Sequence, residues 1–186
     1  DDRKQRPSRA ALADAFTWLT QAKPHHTVVV FFAGHGVAHR DPVQDVDDYF
    51  YLLPQVEGPG DVERADLRRE RTFAAAELAA ALNRVPATKR LIILDTCAAG
   101  KADLRLAQRR EGLSSDARRA HDRAQESTGA WFLAGAAADR ASYEASQFGQ
   151  GILTYTLLEG MRGAALSEDQ VWVSRLVDHA EKQVPV

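Results

Sequence analysis

The sequence predicts an α/β fold with a mostly parallel sheet. Two runs of continuous apolar residues, at Thr27–Phe32 and Leu91–Leu94, have the pattern of strands that are covered on both faces. A segment with apolar residues at helical spacing precedes each run. Helices that alternate with buried strands indicate parallel pairing through crossover connections.

The first element is a helix that begins after Ser8, whose hydroxyl can cap it, and extends to about Ala22. Pro24 stops this helix because proline cannot continue the backbone hydrogen-bond pattern. Three apolar residues fall on one face of the helix: Leu12, Phe16 and Leu19. The strand at Thr27–Phe32 follows directly.

The middle of the chain predicts a hairpin strand and a second helix. Apolar and aromatic residues at Tyr49–Leu53 indicate a short strand, and Gln55–Arg71 is rich in Gly, Pro and charge, which is typical of a loop. Thr72 caps a helix that extends to about Arg84. Its inward face carries Phe73, Leu78 and Leu82.

The last third of the chain returns to alternating elements. A strand is predicted at Ala130–Ala134 and a helix from Ile152 to Met161. Residues 171–173 form a brief last strand, and Ser174 caps a closing helix that ends near Pro185.

Length and composition restrict the classes of function. A chain of 186 residues suits a single domain, and a net charge of −2 with both signs abundant favours neither nucleic acid nor an anionic membrane as a partner. No apolar stretch approaches the roughly 20 residues that span a bilayer. The single cysteine leaves a free thiol, which suits a reducing compartment. We therefore expect a soluble cytoplasmic protein.

A reactive side chain follows each of the two buried strands. His35 lies in Ala33-Gly34-His35-Gly36, and Cys97 lies in Asp95-Thr96-Cys97-Ala98-Ala99-Gly100. Both should lie beyond the carboxyl ends of parallel strands, where the catalytic groups of α/β folds collect. A thiol nucleophile and an imidazole that moves its proton need only be neighbours in space. The pair predicts a Cys–His catalytic site.

These two motifs, in this order, resemble those of the caspase-like cysteine peptidases. Asp95 stands where animal caspases have glutamine, and one more residue precedes the glycine, which favours the metacaspase and bacterial branch. The resemblance extends from about Ala10 to the end of the chain and includes YFYLLP at 49–54 and TGAWFLAGAAADRASYE at 128–144.

The resemblance implies a caspase-like three-layer α/β/α sandwich in which the whole chain, 1–186, is one peptidase domain. The six-stranded sheet of that family has two strands and a helix before the first helix predicted here. We therefore expect a further amino-terminal segment, or a separate chain, to pair beside Thr27–Phe32. Folded proteins avoid such a long open apolar edge.

The resemblance also implies roles for individual residues. Cys97 is the nucleophile, His35 is the general base and acid, and the backbone N–H groups of Gly36 and Cys97 form the oxyanion hole. Asp95, assisted by Glu144, lines a substrate pocket that favours arginine or lysine. Two alternatives stay open: Asp95 can instead cap nearby backbone N–H groups, and Glu144 can lie on an exposed helix.

Two further segments carry secondary predictions. The acidic residues Asp45, Asp47 and Asp48 can hold Ca²⁺, although their spacing matches no known calcium loop and the chemistry requires no cofactor. Residues 101–127 are basic and polar, which indicates either a solvated helical insert or an exposed activation loop. The candidate self-cleavage sites in it are Arg109, Arg110, Arg118 and Arg119.

Two classes of function follow from these residues. The first is a cysteine endopeptidase that cleaves proteins after basic residues and acts as a regulated effector. The second is a catalytically silent caspase-like module that serves interaction or signalling. A regulatory domain or protein is a candidate partner in either case. Retention of both His35 and Cys97 favours the enzyme. A glutamine amidotransferase is excluded because its cysteine precedes its histidine.

Overall fold

A five-stranded sheet forms the centre of the molecule. The computed structural model describes residues 7–41, 46–58, 60–98, 119–120, 122–134 and 151–183. The strands, in chain order, are β1 (Thr27–Asp41), β2 (Val46–Leu52), β3 (Thr72–Ala74), β4 (Lys89–Ala98) and β5 (Trp131–Ala134). Their order across the sheet is β3-β2-β1-β4-β5.

The core of the sheet is parallel, as the sequence predicts. β4 lies between β1 and β5 and is parallel to both. β2 returns antiparallel along the carboxyl-terminal half of β1, and β3 pairs antiparallel with β2. The parallel strands therefore form the covered centre, and the antiparallel strands extend the sheet to one side.

Helices cover both faces of this sheet. The first four are α1 (Arg9–Leu19), α2 (Gly60–Glu63), α3 (Ala65–Arg71) and α4 (Ala75–Leu82). Residues 122–128 are also helical. The penultimate helix (Ile152–Glu159) continues into a π-helical turn (Gly160–Ala164), and the C-terminal helix is Val173–Gln183. Between them, β6 (Leu166–Ser167) and β7 (Gln170–Val171) form a small hairpin.

Alternate residues of β4 anchor the two hydrophobic layers. Ile92 and Leu94 are fully buried in a cluster that includes Phe16 of α1 and Leu82 of α4. Ile93 packs in a second cluster with residues of the last two helices: Leu153, Leu157, Leu176 and Ala180. Because successive strand residues face opposite sides of a sheet, β4 is covered on both faces. The α/β/α sandwich is thereby confirmed.

Several local predictions are confirmed by the structure. The Ser8 hydroxyl accepts a hydrogen bond from the Ala11 N–H at 3.2 Å, which caps α1. Phe16 is buried as predicted, and its ring stacks on that of Phe73 with 5.9 Å between centroids, although Phe73 lies in β3 and not in the predicted helix. Leu78 and Leu82 are buried, as their spacing predicts.

The prediction of a loop over Gln55–Arg71 is wrong, because α2 and α3 occupy most of this segment. The Arg71 guanidinium pairs with Asp61 at 2.9 Å, and Arg68 donates to the Val62 carbonyl at 2.6 Å. This ion pair and this hydrogen bond from a side chain to the backbone stabilise two short helices. Hydrophobic periodicity does not reveal helices of this kind.

Three predicted boundaries are also wrong. Thr72 does not cap α4: it pairs with Leu52 in β3, and α4 begins at Ala75. The C-terminal helix begins at Val173, so residues 171–173 are not a strand throughout. β1 continues to Asp41 because β2 pairs with its second half.

The first half of β1 has an open edge in the part of the chain that the structure describes. β4 pairs along one side of Thr27–Gly34, whereas β2 reaches only His35 to Asp41 on the other. Val29 and Phe31, which lie on one face of this half, are 56% and 50% exposed. Among the described helices, none is long and apolar enough to cross a membrane.

An ion pair between Arg9 and Glu77 joins α1 to the start of α4. Arg9 donates hydrogen bonds to both carboxylate oxygens of Glu77 and to the Thr72 carbonyl. Glu77 in turn accepts from the Ala74 N–H at 2.9 Å, which caps α4. Burial raises the pKa of Glu77, but the hydrogen bonds from Arg9 and Ala74 outweigh it and hold that pKa below the ordinary 4.5.

Because the folded pKa of Glu77 is lowered, its ionised form stabilises the fold above pH 4.5. We expect Glu77→Gln to lower the free energy of unfolding at pH 7 by about 0.5–1 kcal/mol, since the pair is partly exposed. The difference should shrink as the pH falls through the folded pKa. Urea unfolding at pH 7 and pH 3 measures it.

Glu181→Gln is the matched control, because Glu181 is exposed on the C-terminal helix. It should leave stability unchanged at both values of pH. A Glu77→Gln deficit that is equally large at pH 3 would contradict the assignment of charge as its cause.

Candidate active site

The parallel register of β1 and β4 places His35 directly beside Cys97. Each is the Cα partner of the other on adjacent strands, which lie about 4.8 Å apart in a sheet. The His35 side chain is exposed. Two residues that are distant in sequence are thus brought together at the carboxyl end of the parallel pairing.

His35 lies where β1 changes its partners. Parallel pairing with β4 covers Thr27 to Gly36, and antiparallel pairing with β2 covers His35 to Asp41. The sequence predicts that His35 follows a strand, but in the structure it lies inside one. The hairpin strand β2 therefore holds the histidine segment from the side opposite to Cys97.

Gly36 is buried beneath the aromatic ring of Tyr49. A Cβ atom at position 36 would overlap the hydroxyl oxygen and two ring carbons of Tyr49. Glycine is therefore required here by close packing. The oxyanion role of the Gly36 and Cys97 N–H groups stays a prediction.

Asp95 is buried, with 7% exposure, and its carboxylate contacts the start of the penultimate helix. Oδ2 accepts hydrogen bonds from the Thr154 N–H, at 3.1 Å, and from the Thr154 hydroxyl. A Cβ atom at Gly151 would overlap this carboxylate, so the helix start lies against it.

Asp95 therefore caps a backbone N–H group, which is the alternative role that the sequence allowed for it. The N–H group that it caps belongs to a helix residue 59 positions further along the chain. Thr154 is the polar residue that sequence analysis missed. Its position in the first turn of a predicted helix was the available signal. The pocket role of Asp95 stays a prediction.

Several predicted site residues cannot be placed. Glu144 and three of the candidate self-cleavage sites, Arg109, Arg110 and Arg118, lie outside the described residues. Arg119 is described, and it is exposed and helical. The described end of the 101–127 segment is thus helical, with Ala120 and Ala124 buried.

The acidic stretch before β2 is described only in part. Asp45 lies outside the described residues, and Asp47 pairs with Arg40 in the β1–β2 ladder. Burial raises the pKa of Asp48, although hydrogen bonds from the Tyr49 and Ala76 backbone oppose that shift. Within the described ranges, no three His, Cys, Asp or Glu side chains gather as metal ligands. The calcium prediction concerns residues that lie partly outside those ranges.

Comparison with known proteins agrees with the fold. Neither the curated proteins nor the solved structures include a match to this chain. Residues 2–186 match the family model of the caspase domain, peptidase family C14. The chain therefore belongs to the caspase-domain family of cysteine peptidases.

Proposed function

We propose that this protein is a cysteine endopeptidase that uses His35 and Cys97 to cleave proteins after arginine or lysine. The observation that carries the proposal is the parallel register that makes these two residues neighbours. Family membership supports cysteine peptidase chemistry in general. A regulated effector protease is the role that we propose.

The reaction needs only groups that this site can supply. The His35 imidazole takes the proton of the Cys97 thiol, and the thiolate attacks the scissile carbonyl carbon. Backbone N–H groups of Gly36 and Cys97 stabilise the resulting oxyanion. The imidazolium then donates its proton to the leaving amine, and a water molecule hydrolyses the thioester to release the acid. No cofactor takes part.

We propose that the Asp95 carboxylate makes the enzyme select substrates with arginine or lysine before the scissile bond. This carboxylate accepts hydrogen bonds from the Thr154 N–H and hydroxyl and lies against the start of the penultimate helix. An ionised, largely desolvated carboxylate pairs with a guanidinium and repels an acidic side chain. Glu144 would add a second negative charge to the pocket.

We further propose that an amino-terminal segment or a separate chain pairs beside Thr27–Phe32. Two observations support it: among the described residues no strand pairs with the edge of this half-strand that faces away from β4, and the Val29 and Phe31 side chains are exposed. Strand addition would satisfy the open backbone groups and would place cross-strand neighbours beside both side chains.

The alternative function is an interaction module with a silent site. The close contacts around Gly36 and Asp95 suit either function, because they would hold a closed site as well as an active one. The two differ in the reactivity of the thiol, since the imidazole of an active dyad keeps a larger fraction of the cysteine as thiolate at neutral pH.

Cys97→Ala should abolish peptide cleavage, with a loss of several powers of ten in rate, because the nucleophile and its base act as a unit. His35→Ala should be nearly as severe. Hydrolysis of an arginyl fluorogenic peptide measures both. His25→Ala, an exposed histidine before β1, is the matched control and should retain full activity. A Cys97→Ala protein that still cleaved the peptide would disprove the assignment.

Arginyl and lysyl peptides should be cleaved and aspartyl peptides left intact. Asp95→Asn should lose about a hundredfold in kcat/KM on arginyl peptides, because the substrate cation loses its paired charge. In that variant Cys97 should keep the wild-type pH dependence of its reaction with iodoacetamide, and the circular dichroism spectrum should be unchanged, which together separate lost specificity from a lost fold. Asp66→Asn, an exposed carboxylate on α3, serves as control. A measured preference for aspartyl peptides would show that Asp95 does not line the substrate pocket.

Active protein should cleave itself within residues 101–127, after one or more of Arg109, Arg110, Arg118 and Arg119. Mass spectrometry of the new termini identifies the bonds, with Cys97→Ala protein as the inactive control. Arg119 should be the slowest of the four, because its helix must first unfold locally. If the protein stays intact under conditions where it cleaves peptides, residues 101–127 are only a spacer and not an activation loop.

A further inference from the structure

We propose that Tyr49 is a positioning residue that holds the catalytic ends of β1 and β4 in register. This inference rests on the proposed function, because it concerns the alignment of His35 with Cys97. Tyr49 comes from β2 and contacts the residue that follows His35 and the residue that precedes Cys97. One side chain thus joins both catalytic segments.

The first contact is with Gly36. The Tyr49 ring lies so close to the Gly36 backbone that no side chain fits between them. Tyr49 pairs with Ala38 in the β1–β2 ladder, so its ring reaches back along β1 by two residues, which is the diagonal contact open to a long side chain. Because strand side chains alternate, the ring lies on the opposite face of β1 from His35.

The second contact crosses to β4. The Tyr49 hydroxyl and Thr96 Oγ1 form a hydrogen bond of 3.3 Å. Both side chains are buried, with 4% and 5% exposure, so water does not compete freely for this bond. Thr96 precedes Cys97 directly, and the bond therefore limits sliding of the nucleophile segment against the histidine segment.

The tyrosine is itself held in place. Its ring packs edge to face against Tyr51, with centroids 5.2 Å apart, and Tyr51 is fully buried. Tyr51 packs in turn against Phe32 of β1, 4.8 Å between centroids. Because the Tyr49 ring is fixed and contacts the ends of both strands, it holds each end in a defined position.

Alkylation of the single cysteine provides a readout that a purely structural role would not change. The rate of reaction with iodoacetamide, measured against pH, reports how well the imidazole keeps Cys97 as a thiolate. Tyr49→Phe should lower kcat about fivefold with little change in KM, as expected for one lost buried hydrogen bond. The midpoint of its alkylation profile should move to higher pH.

A double variant tests the packing against Gly36. Gly36→Ala should lose about a hundredfold in kcat, since small displacements of reacting groups have effects of that size. Tyr49→Leu removes the ring atoms that the new methyl group would meet and keeps an apolar side chain. The combined Gly36→Ala/Tyr49→Leu protein should therefore be more active than Gly36→Ala alone.

Tyr155→Phe is the matched control, because it removes a hydroxyl that hydrogen-bonds to Glu159 on the penultimate helix. It should behave as wild type in all measurements. The positioning role is overturned if Tyr49→Phe keeps the wild-type kcat and alkylation profile while His35→Ala changes both. If His35→Ala leaves the profile unchanged, the proposed dyad itself fails. Tyr49→Phe removes only the hydroxyl group and adds no atoms to the core, so its result stands even if Gly36→Ala does not fold.

Discussion

The parallel pairing of β1 with β4 is the constraint on which the rest of the structure depends. It runs without interruption from the Thr27–Lys89 pair to the Gly36–Ala98 pair. A slip of one residue would move every side chain of a strand to the other face and would separate His35 from Cys97. The two hydrophobic layers prevent that slip, because Ile92 and Ile93 must each face a different set of helices.

Burial of β4 on both faces also determines how polar groups at its carboxyl end can be accommodated. Asp95 and Thr96 directly follow the apolar segment Leu91–Leu94 of β4, and both are nearly inaccessible to water. Each has found a polar partner from a distant segment, Thr154 for the carboxylate and Tyr49 for the hydroxyl. Without such partners, each buried polar group would lose its hydration with no hydrogen bond to offset the cost.

The site is therefore built from segments that reach the sheet end from different directions. The hairpin strand β2 approaches from one side and the penultimate helix approaches over one face. Both approach so closely that only glycine fits at the contact, at Gly36 in one case and Gly151 in the other. Close packing of this kind restricts movement of the strand ends, which suits chemistry that depends on the distance between two side chains.

The sequence by itself determined the parallel α/β core, the cap at Ser8, the inward faces of α1 and α4, and the family to which the chain belongs. These features are local: they depend on periodicity, on a capping hydroxyl or on a short motif around His35 and Cys97. Tertiary structure alone decided that β1 continues to Asp41 and that Thr72 joins a strand, since β2 supplies the hydrogen bonds for both. It also decided the partners of Asp95 and Gly36. Pairing between distant segments depends on three-dimensional packing, which overrides local propensity and leaves no periodic signal in the chain.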